Sequence, residues 1–258
     1  MSLLNAVLLG AVQGLTEFLP ISSSGHIFLL ERWMGLVGDI DFTLWLHLGS
    51  LVAVVLYFRR DITQMLVGLV QMIQQKQANV QGVYTLKLLV ATAATVPTAL
   101  LMQAFFPYSE LSLSVVAVTL IITAVLIVIA ERGRRSDQPL SWALVIVLGL
   151  VQGLSIIPGI SRSGLTIAVL IFLGVSRQLA ARTSFLLSIP TIFGAGLYTY
   201  LDQGERFTNL GIFELTAVVV AAVSAYAAIA WMMRWVEGRW IYFAYYCAGL
   251  GALVFILA

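Results

Sequence analysis

Charge is what this chain has least of. Only 10% of its 258 residues are Asp, Glu, Lys or Arg, 60% are hydrophobic, and the mean hydropathy is +0.99. A water-soluble domain carries about 25% charged residues, so a soluble globular protein is excluded. Nearly the whole chain belongs in a bilayer, as one compact helical bundle: a single integral membrane domain over residues 1–258. The formal net charge is only +2, and the basic residues are scattered over short loops rather than stacked on one face. That pattern points away from nucleic acid and towards membrane lipids as the surroundings. A lone cysteine, Cys247, excludes an internal disulfide and leaves no partner for a thiolate metal site; it reads as a small packing residue. The N-terminus lacks a basic n-region and a small-residue cleavage site, so no removable signal peptide is expected.

What is abundant is long apolar sequence. A helix needs about 20 apolar residues to cross a bilayer. Six stretches qualify: Phe42–Phe58, Leu88–Phe106, Leu113–Ala130, Thr183–Tyr200, Ile212–Met233 and Ile241–Leu257. Pro97 removes a backbone donor from the second and is expected to kink it. Asp61–Gln74 alternates apolar and amide residues at helical spacing, which predicts an interfacial or packed amphipathic helix. Trp45, Trp142, Trp235 and Trp240 fall near span ends, where aromatic belts form.

Two further apolar regions are interrupted. Residues 3–36 break at Pro20–Gly25, and residues 141–174 break at Pro158–Gly164. Irregular backbone at membrane depth survives only when buried in protein or lining a wet cavity. Each region therefore reads as a re-entrant helix–loop–helix hairpin. The cytoplasmic loops then become 59–87, 131–139, 174–182 and 234–239, and hold 11 of the 14 Lys and Arg residues, as the positive-inside rule requires. Arg32 and Arg206 fall outside this set, and Arg162 sits in the second break. Both termini face outward in this reading. Asp39, Asp41, Asp202 and Glu205 lie on the outer side, solvated.

The two breaks are copies of one motif. Gln13-Gly-Leu-Thr-Glu17-Phe-Leu-Pro-Ile-Ser22-Ser23-Ser24-Gly25-His26 aligns without a gap on Gln152-Gly-Leu-Ser-Ile156-Ile-Pro158-Gly159-Ile-Ser161-Arg162-Ser163-Gly164-Leu165. The constant offset, 139 between Gln13 and Gln152, also lays Gly35 on Gly174. After a two-residue gap, Thr43–Ser50 lies on Ser184–Thr191. Three crossings separate the hairpins, so they point in opposite directions. The fold class is thus an all-α polytopic membrane protein with six transmembrane helices and two re-entrant hairpins. It is built as an inverted-topology repeat over roughly residues 1–130 and 140–258, with the broken loops meeting near the midplane.

The copies differ where chemistry would differ. An ionisable residue inside a membrane is a functional hypothesis by default, and Glu17, His26 and Arg162 occupy these loops. Arg162 with Ser161, Ser163 and Thr166 at a helix start forms an anion-binding set suited to phosphate or diphosphate. Close helix packing accounts for Ser and Gly there, but not for an arginine, which needs an anion or an acidic partner. Ser22, Ser23 and Ser24 precede His26; in a helix starting near Ser24, His26 is expected to reach back to Ser23 and activate it. The alternative is that these serines only cap the helix. Glu17 and Gln13 are four residues apart on one helix face, a carboxylate and an amide oxygen suited to Mg²⁺ or Ca²⁺. Glu17 paired to Arg162 is the plainer reading, and the two are compatible. His47, before Gly49 and Ser50, reads as a packing histidine.

These motifs resemble the two signatures of the undecaprenyl-diphosphate phosphatase (bacitracin-resistance) family, and the resemblance runs through Leu48-Gly49-Ser50 and Gly174-Val175-Ser176-Arg177. It implies hydrolysis of a polyprenyl diphosphate to the monophosphate carrier lipid, on the outer side of a bacterial inner membrane and with a divalent cation. Recycling of that lipid for cell-wall synthesis, and bacitracin resistance, would follow. The resemblance places the family's catalytic residues on Glu17, Ser23, His26, Ser161, Arg162 and Thr166, and Gln13 stands where many relatives have Glu. The covalent nucleophile is left as Ser23 or His26, and a homodimer is left open. The rival from another class is a polyprenyl-phosphate transporter, since inverted repeats with broken helices are what secondary transporters have. Ser23 beside a base separates the two, because transport needs no nucleophile. A non-catalytic scaffold would leave three intramembrane charges without purpose.

Overall fold

The computed structural model describes residues 2–36, 40–107, 111–133, 138–203 and 211–258. Among them are eleven α-helices, one short 3₁₀ turn and no strand. The helices are α1 (Leu3–Glu17), α2 (Ser23–Trp33), α3 (Ile40–Tyr57), α4 (Arg59–Gln75), α5 (Val80–Phe105) and α6 (Leu113–Glu131). They are followed by α7 (Trp142–Gln152), the 3₁₀ turn Gly153–Ile156, α8 (Arg162–Phe172), α9 (Arg177–Gln203), α10 (Ile212–Trp235) and α11 (Ile241–Leu257).

Serine and asparagine side chains set where the helices begin. Ser2, Ser112 and Ser141 accept from the third amide onward of α1, α6 and α7 at 3.2, 3.3 and 3.2 Å, and Asn79 does the same for α5 at 2.8 Å. Among the described residues, four helices are long and apolar enough to cross a membrane: α5, α6, α9 and α10. α3 passes that test only together with α4, from which it is bent by 77° at Phe58, and α11 has 17 residues. The amphipathic segment is thus a helix of its own, α4. It lies along α5, where Asn79 Nδ2 donates to Gly68 O at 2.7 Å and Thr85 Oγ1 to Met65 O at 3.1 Å. α5 and α9 begin earlier than apolar content alone predicts and run unbroken through Pro97 and Pro190. Lys87 and Arg182 therefore sit on helices rather than in loops.

The two interruptions are present, but each begins upstream of where the prolines stand. α1 ends at Glu17 and α7 at Gln152. A proline disfavours the helical region for the residue before it and has no N–H to donate, so the chain leaves the helix ahead of Pro20 and Pro158. It re-enters at Ser23 and Arg162, inside the expected breaks. Both returning helices then stop in the same way. Gly35 (φ +67°) and Gly174 (φ +93°) take the left-handed conformation that a side chain resists. The next amides, Leu36 N and Val175 N, bond back to Glu31 O and Leu170 O at 2.8 and 2.9 Å.

The loops meet face to face. Ser22 Oγ accepts from Gly25 N within its own helix start at 3.2 Å and from Gly159 N across the gap at 3.1 Å. Ser163 Oγ donates to Leu19 O at 2.9 Å. From behind, Thr119 and Thr123 of α6 donate to Pro158 O and Gly159 O at 2.7 and 2.9 Å. Gly159 has φ +95°, and a Cβ there would lie 1.9 Å from Thr119 Oγ1, so only glycine fits. Around this junction α1 packs along α10 and α7 along α5, while α6 pairs with α11. Small residues allow the first approach: a Cβ on Gly10 or Gly14 would run into the α10 backbone at 2.7 and 2.3 Å.

At one end of the bundle, arginines tie the short loops together. Arg177 bonds Glu131 Oε2 at 2.6 Å and Glu237 O at 2.9 Å, and Arg182 pairs with Asp61. Trp240 is not part of a surface belt: at the start of α11 it is fully buried and donates to Ile127 O of α6 at 3.3 Å. Arg134, Arg135, Asp39, Glu205 and Arg206 lie outside the described residues, as do the side chains of Asp41 and Asp202.

Candidate active site

Where the loops meet, a cavity of about 370 Å³ opens between the end of α1, the starts of α2 and α8, and the sides of α3 and α9. Glu17, Ser23, Ser24, His47, Ser161 and Arg162 line it together with the apolar Leu44, Ile156, Ile192 and Ala195 and the hydroxyls of Thr43, Ser155, Thr191 and Thr199. A lining that combines charged and hydroxyl groups with apolar side chains suits an amphiphile.

Glu17 is the hub, although it is the last residue of α1 and almost fully buried. Its Oε1 takes the guanidinium Nη2 of Arg162. Its Oε2 accepts from Ser23 Oγ at 2.6 Å and from Gln13 Nε2 at 2.9 Å, with His47 Nε2 at 3.7 Å. Arg162 Nη1 is buried and has no hydrogen-bond partner. A buried ion pair is weak evidence for stability, since desolvation offsets the attraction. One that borders a cavity, with a serine hydroxyl on the carboxylate and a spare donor on the guanidinium, is better explained by chemistry.

Several residues named from sequence stand elsewhere. His26 does not reach Ser23. Its Nδ1 lies 2.7 Å from Ser22 O, a carbonyl that can only accept, so Nδ1 carries the proton. Its Nε2 is therefore the acceptor and lies 2.6 Å from Tyr246 Oη of α11, the two rings nearly parallel at 5.6 Å. The group that accepts from Ser23 Oγ is the Glu17 carboxylate instead. At the first helical position the Ser23 side chain faces back to the end of α1, while His26, a turn later, faces α11. Ser22, Ser163 and Thr166 are buried in the scaffold: Ser22 caps α2, Ser163 spans to Leu19, and Thr166 Oγ1 sits 2.7 Å from Ser184 Oγ. Of the expected anion-binding hydroxyls, Ser161 lines the cavity, and its Oγ also caps α8 through Gly164 N at 3.0 Å.

Gln13 and Glu17 do share one face, but no cation site stands ready there. Both Glu17 oxygens are engaged, and Arg162 already brings positive charge to the carboxylate. Gln13 Oε1 is buried without a partner, and one neutral oxygen does not hold a divalent ion. Among the described residues no three His, Cys, Asp or Glu side chains form a metal-binding group.

Sequence reasoning took His47 for a packing residue and missed Tyr246. His47 was visible as an ionisable residue inside an apolar helix. Nothing in the sequence points to Tyr246, since α11 reaches His26 only through the fold. Cys247 beside it is buried and packs on the first loop, its Sγ 3.5 Å from Pro20 O.

The sequence profile described as "Bacitracin resistance protein BacA" matches residues 6–253. The chain belongs to the bacitracin resistance protein family. It is 40% identical to undecaprenyl-diphosphatase of Rubrobacter xylanophilus, over 98% of this chain and 97% of that one. It is 36% identical to undecaprenyl-diphosphatase 1 of Shouchella clausii, over 99% of this chain and 96% of the relative. Undecaprenyl-diphosphatase of Carboxydothermus hydrogenoformans is also 36% identical, over 100% and 98%.

Proposed function

We propose that this multi-pass membrane protein hydrolyses undecaprenyl diphosphate to undecaprenyl phosphate and inorganic phosphate. The observation that carries the reading is the chain Ser23–Glu17–Arg162 along one cavity wall, with Ser23 Oγ 2.6 Å from the carboxylate. The diphosphate lies against Ser23, Glu17 and Arg162, and the prenyl tail leaves past Ile192, Ala195 and Leu44. Arg162 Nη1, short of a partner, takes a phosphate oxygen. Glu17 Oε2 accepts the Ser23 proton as Oγ attacks the terminal phosphorus, and the lipid monophosphate departs with the electron pair of the broken P–O bond. Water then releases phosphate from Ser23. Positioning and charge neutralisation dominate such a transfer. His26 and Tyr246 fix the first turn of α2, and with it the direction of Ser23.

The same reading has six transmembrane helices and two re-entrant hairpins as an inverted repeat, in a bacterial inner membrane with the cavity open to the outer side. α1 on α10 and α7 on α5 are equivalent pairs under that repeat, and the matching glycine stops of α2 and α8 support it. The arginine-tied end is then cytoplasmic. A divalent cation, Mg²⁺ or Ca²⁺, would be held by the diphosphate itself rather than by Gln13 and Glu17, and would supply charge neutralisation there. The lipid carrier is returned to cell-wall synthesis by this reaction. A transporter on the same scaffold would need no serine held on a carboxylate.

Phosphate release in detergent separates these readings. The purified protein, given a long-chain polyprenyl diphosphate where no gradient exists, is expected to release phosphate, and EDTA to lower the rate at least about tenfold. Well-folded protein that releases none would instead support transport, and EDTA-insensitive release would remove the cation.

A further inference from the structure

We propose that His47 is the proton acceptor behind Glu17, and that it clears the carboxylate between the two halves of the reaction. This rests on the phosphatase reading above.

The protein has two histidines, and hydrogen bonding fixes the same tautomer for both. His47 Nδ1 lies 2.8 Å from Thr43 O, one turn back on α3. A carbonyl can only accept, so the proton of the neutral ring is on Nδ1 and the lone pair on Nε2. In His26 that lone pair is taken by the Tyr246 hydroxyl at 2.6 Å, away from the cavity. In His47 it faces Glu17 Oε2 at 3.7 Å, in the cavity wall. This is the same carboxylate oxygen that accepts from Ser23. One small adjustment or one water brings the pair within proton-transfer reach, and such contacts are often long before substrate binds. α3 is well placed to hold the ring still. A Cβ on Gly49 would lie 2.5 Å from Val218 O, so α3 and α10 touch backbone to backbone just beyond His47.

Glu17 has to accept a proton twice, once from Ser23 and once from the attacking water. After the first transfer Oε2 is protonated, and a neutral acid cannot activate water. Transfer of that proton to His47 Nε2 restores the carboxylate. Glu17 then takes a proton from water as its oxygen bonds phosphorus, and returns that proton to Ser23 Oγ as the Oγ–P bond breaks. His47 gives up the Ser23-derived proton to solvent. Each turnover thus consumes one water, restores the Ser23 hydroxyl and releases one proton, the balance that diphosphate hydrolysis requires. Gln13 cannot substitute, because its amide is 2.9 Å from Oε2 but binds no proton at neutral pH.

The test is His47→Gln, which keeps a hydrogen-bonding side chain but removes the base. The expected result is a fall in kcat of at least about tenfold with KM little changed. On mixing with substrate, lipid monophosphate should appear in a burst of about one equivalent, followed by slow phosphate release, with phosphate held on Ser23. The double variant Gln13→Glu/His47→Gln places a titratable group on the other side of the same oxygen and should recover at least about threefold of the loss. A purely packing role would slow both products alike, give no burst, and be met by glutamine. His47→Gln within twofold of wild type, or slow without a burst, overturns the proposal; the burst decides even if the double variant misfolds. Glu17→Gln assayed in parallel separates the failures. If it is inactive while His47→Gln is not, only this proposal falls; if both are active, Glu17 falls as the base as well; and if wild type itself releases no phosphate, the phosphatase reading falls with them.

Discussion

Glu17→Gln is expected to reduce phosphate release by about 10³ while leaving the protein folded. A general base contributes about 10² to 10⁴ in rate, and Glu17 is the group on Ser23 Oγ. Glutamine keeps an oxygen for Arg162 but cannot take the Ser23 proton. It also removes the negative partner of a buried guanidinium, a change that costs about 3–5 kcal/mol when no water reaches the charge. Arg162 borders the cavity, so the loss of stability should fall below that range. Turnover of detergent-purified protein, read beside its melting temperature, checks both halves. A stable Glu17→Gln variant with wild-type turnover would remove Glu17 as the base.

Arg162 carries the second large effect. Arg162→Ala removes the positive charge from the cavity and leaves Glu17 buried and unpaired. Losing one donor to developing charge costs about 10²–10³ in kcat, and the misplaced carboxylate adds to it. The informative variant is Arg162→Lys. Arginine serves Glu17 through Nη2 and still has Nη1 for a phosphate oxygen. Lysine offers one nitrogen, which cannot hold both. Arg162→Lys should therefore recover less than about a tenth of the lost rate. A lysine variant that turns over like wild type would show that charge alone suffices.

The site was legible in the sequence because polar residues in an apolar chain have few harmless explanations. Glu17, Ser23 and Arg162 stood out for that reason, and the cavity holds all three. The two loops could be paired because the motif repeats. What the sequence could not convey was direction. Ser23 and His26 are three residues apart, a spacing that allows contact, yet one faces the end of α1 and the other α11. The helix start decides this, and it is set by Ser22, whose backbone at φ +69° turns the chain while its side chain bonds both Gly25 and Gly159. A contact from the other loop thus orients the first, and no single segment encodes it. His47 was read as packing and Tyr246 went unnoticed on the same grounds, since each meets its partner from a distant helix.

Helix limits were legible only in part. Hydropathy found α6 and α10 nearly to their ends, because both are apolar throughout. It placed the starts of α5 and α9 too late, because their N-terminal turns carry Gln81, Lys87, Arg177 and Gln178; of these, Lys87, Arg177 and Gln178 bond the carbonyls of Leu140, Glu237 and Met233 instead of ending the helix. The breaks were placed at the prolines, whereas the chain had already left the helix before them.

The most direct test of the account is Ser23→Ala. Purified wild type and Ser23→Ala would be given the same long-chain polyprenyl diphosphate in detergent, with inorganic phosphate measured over time. The account predicts steady release by wild type and none above background from a variant that melts at the same temperature. Release by Ser23→Ala at a rate near wild type would contradict it, and would move the attack on phosphorus from Ser23 to water or to another side chain.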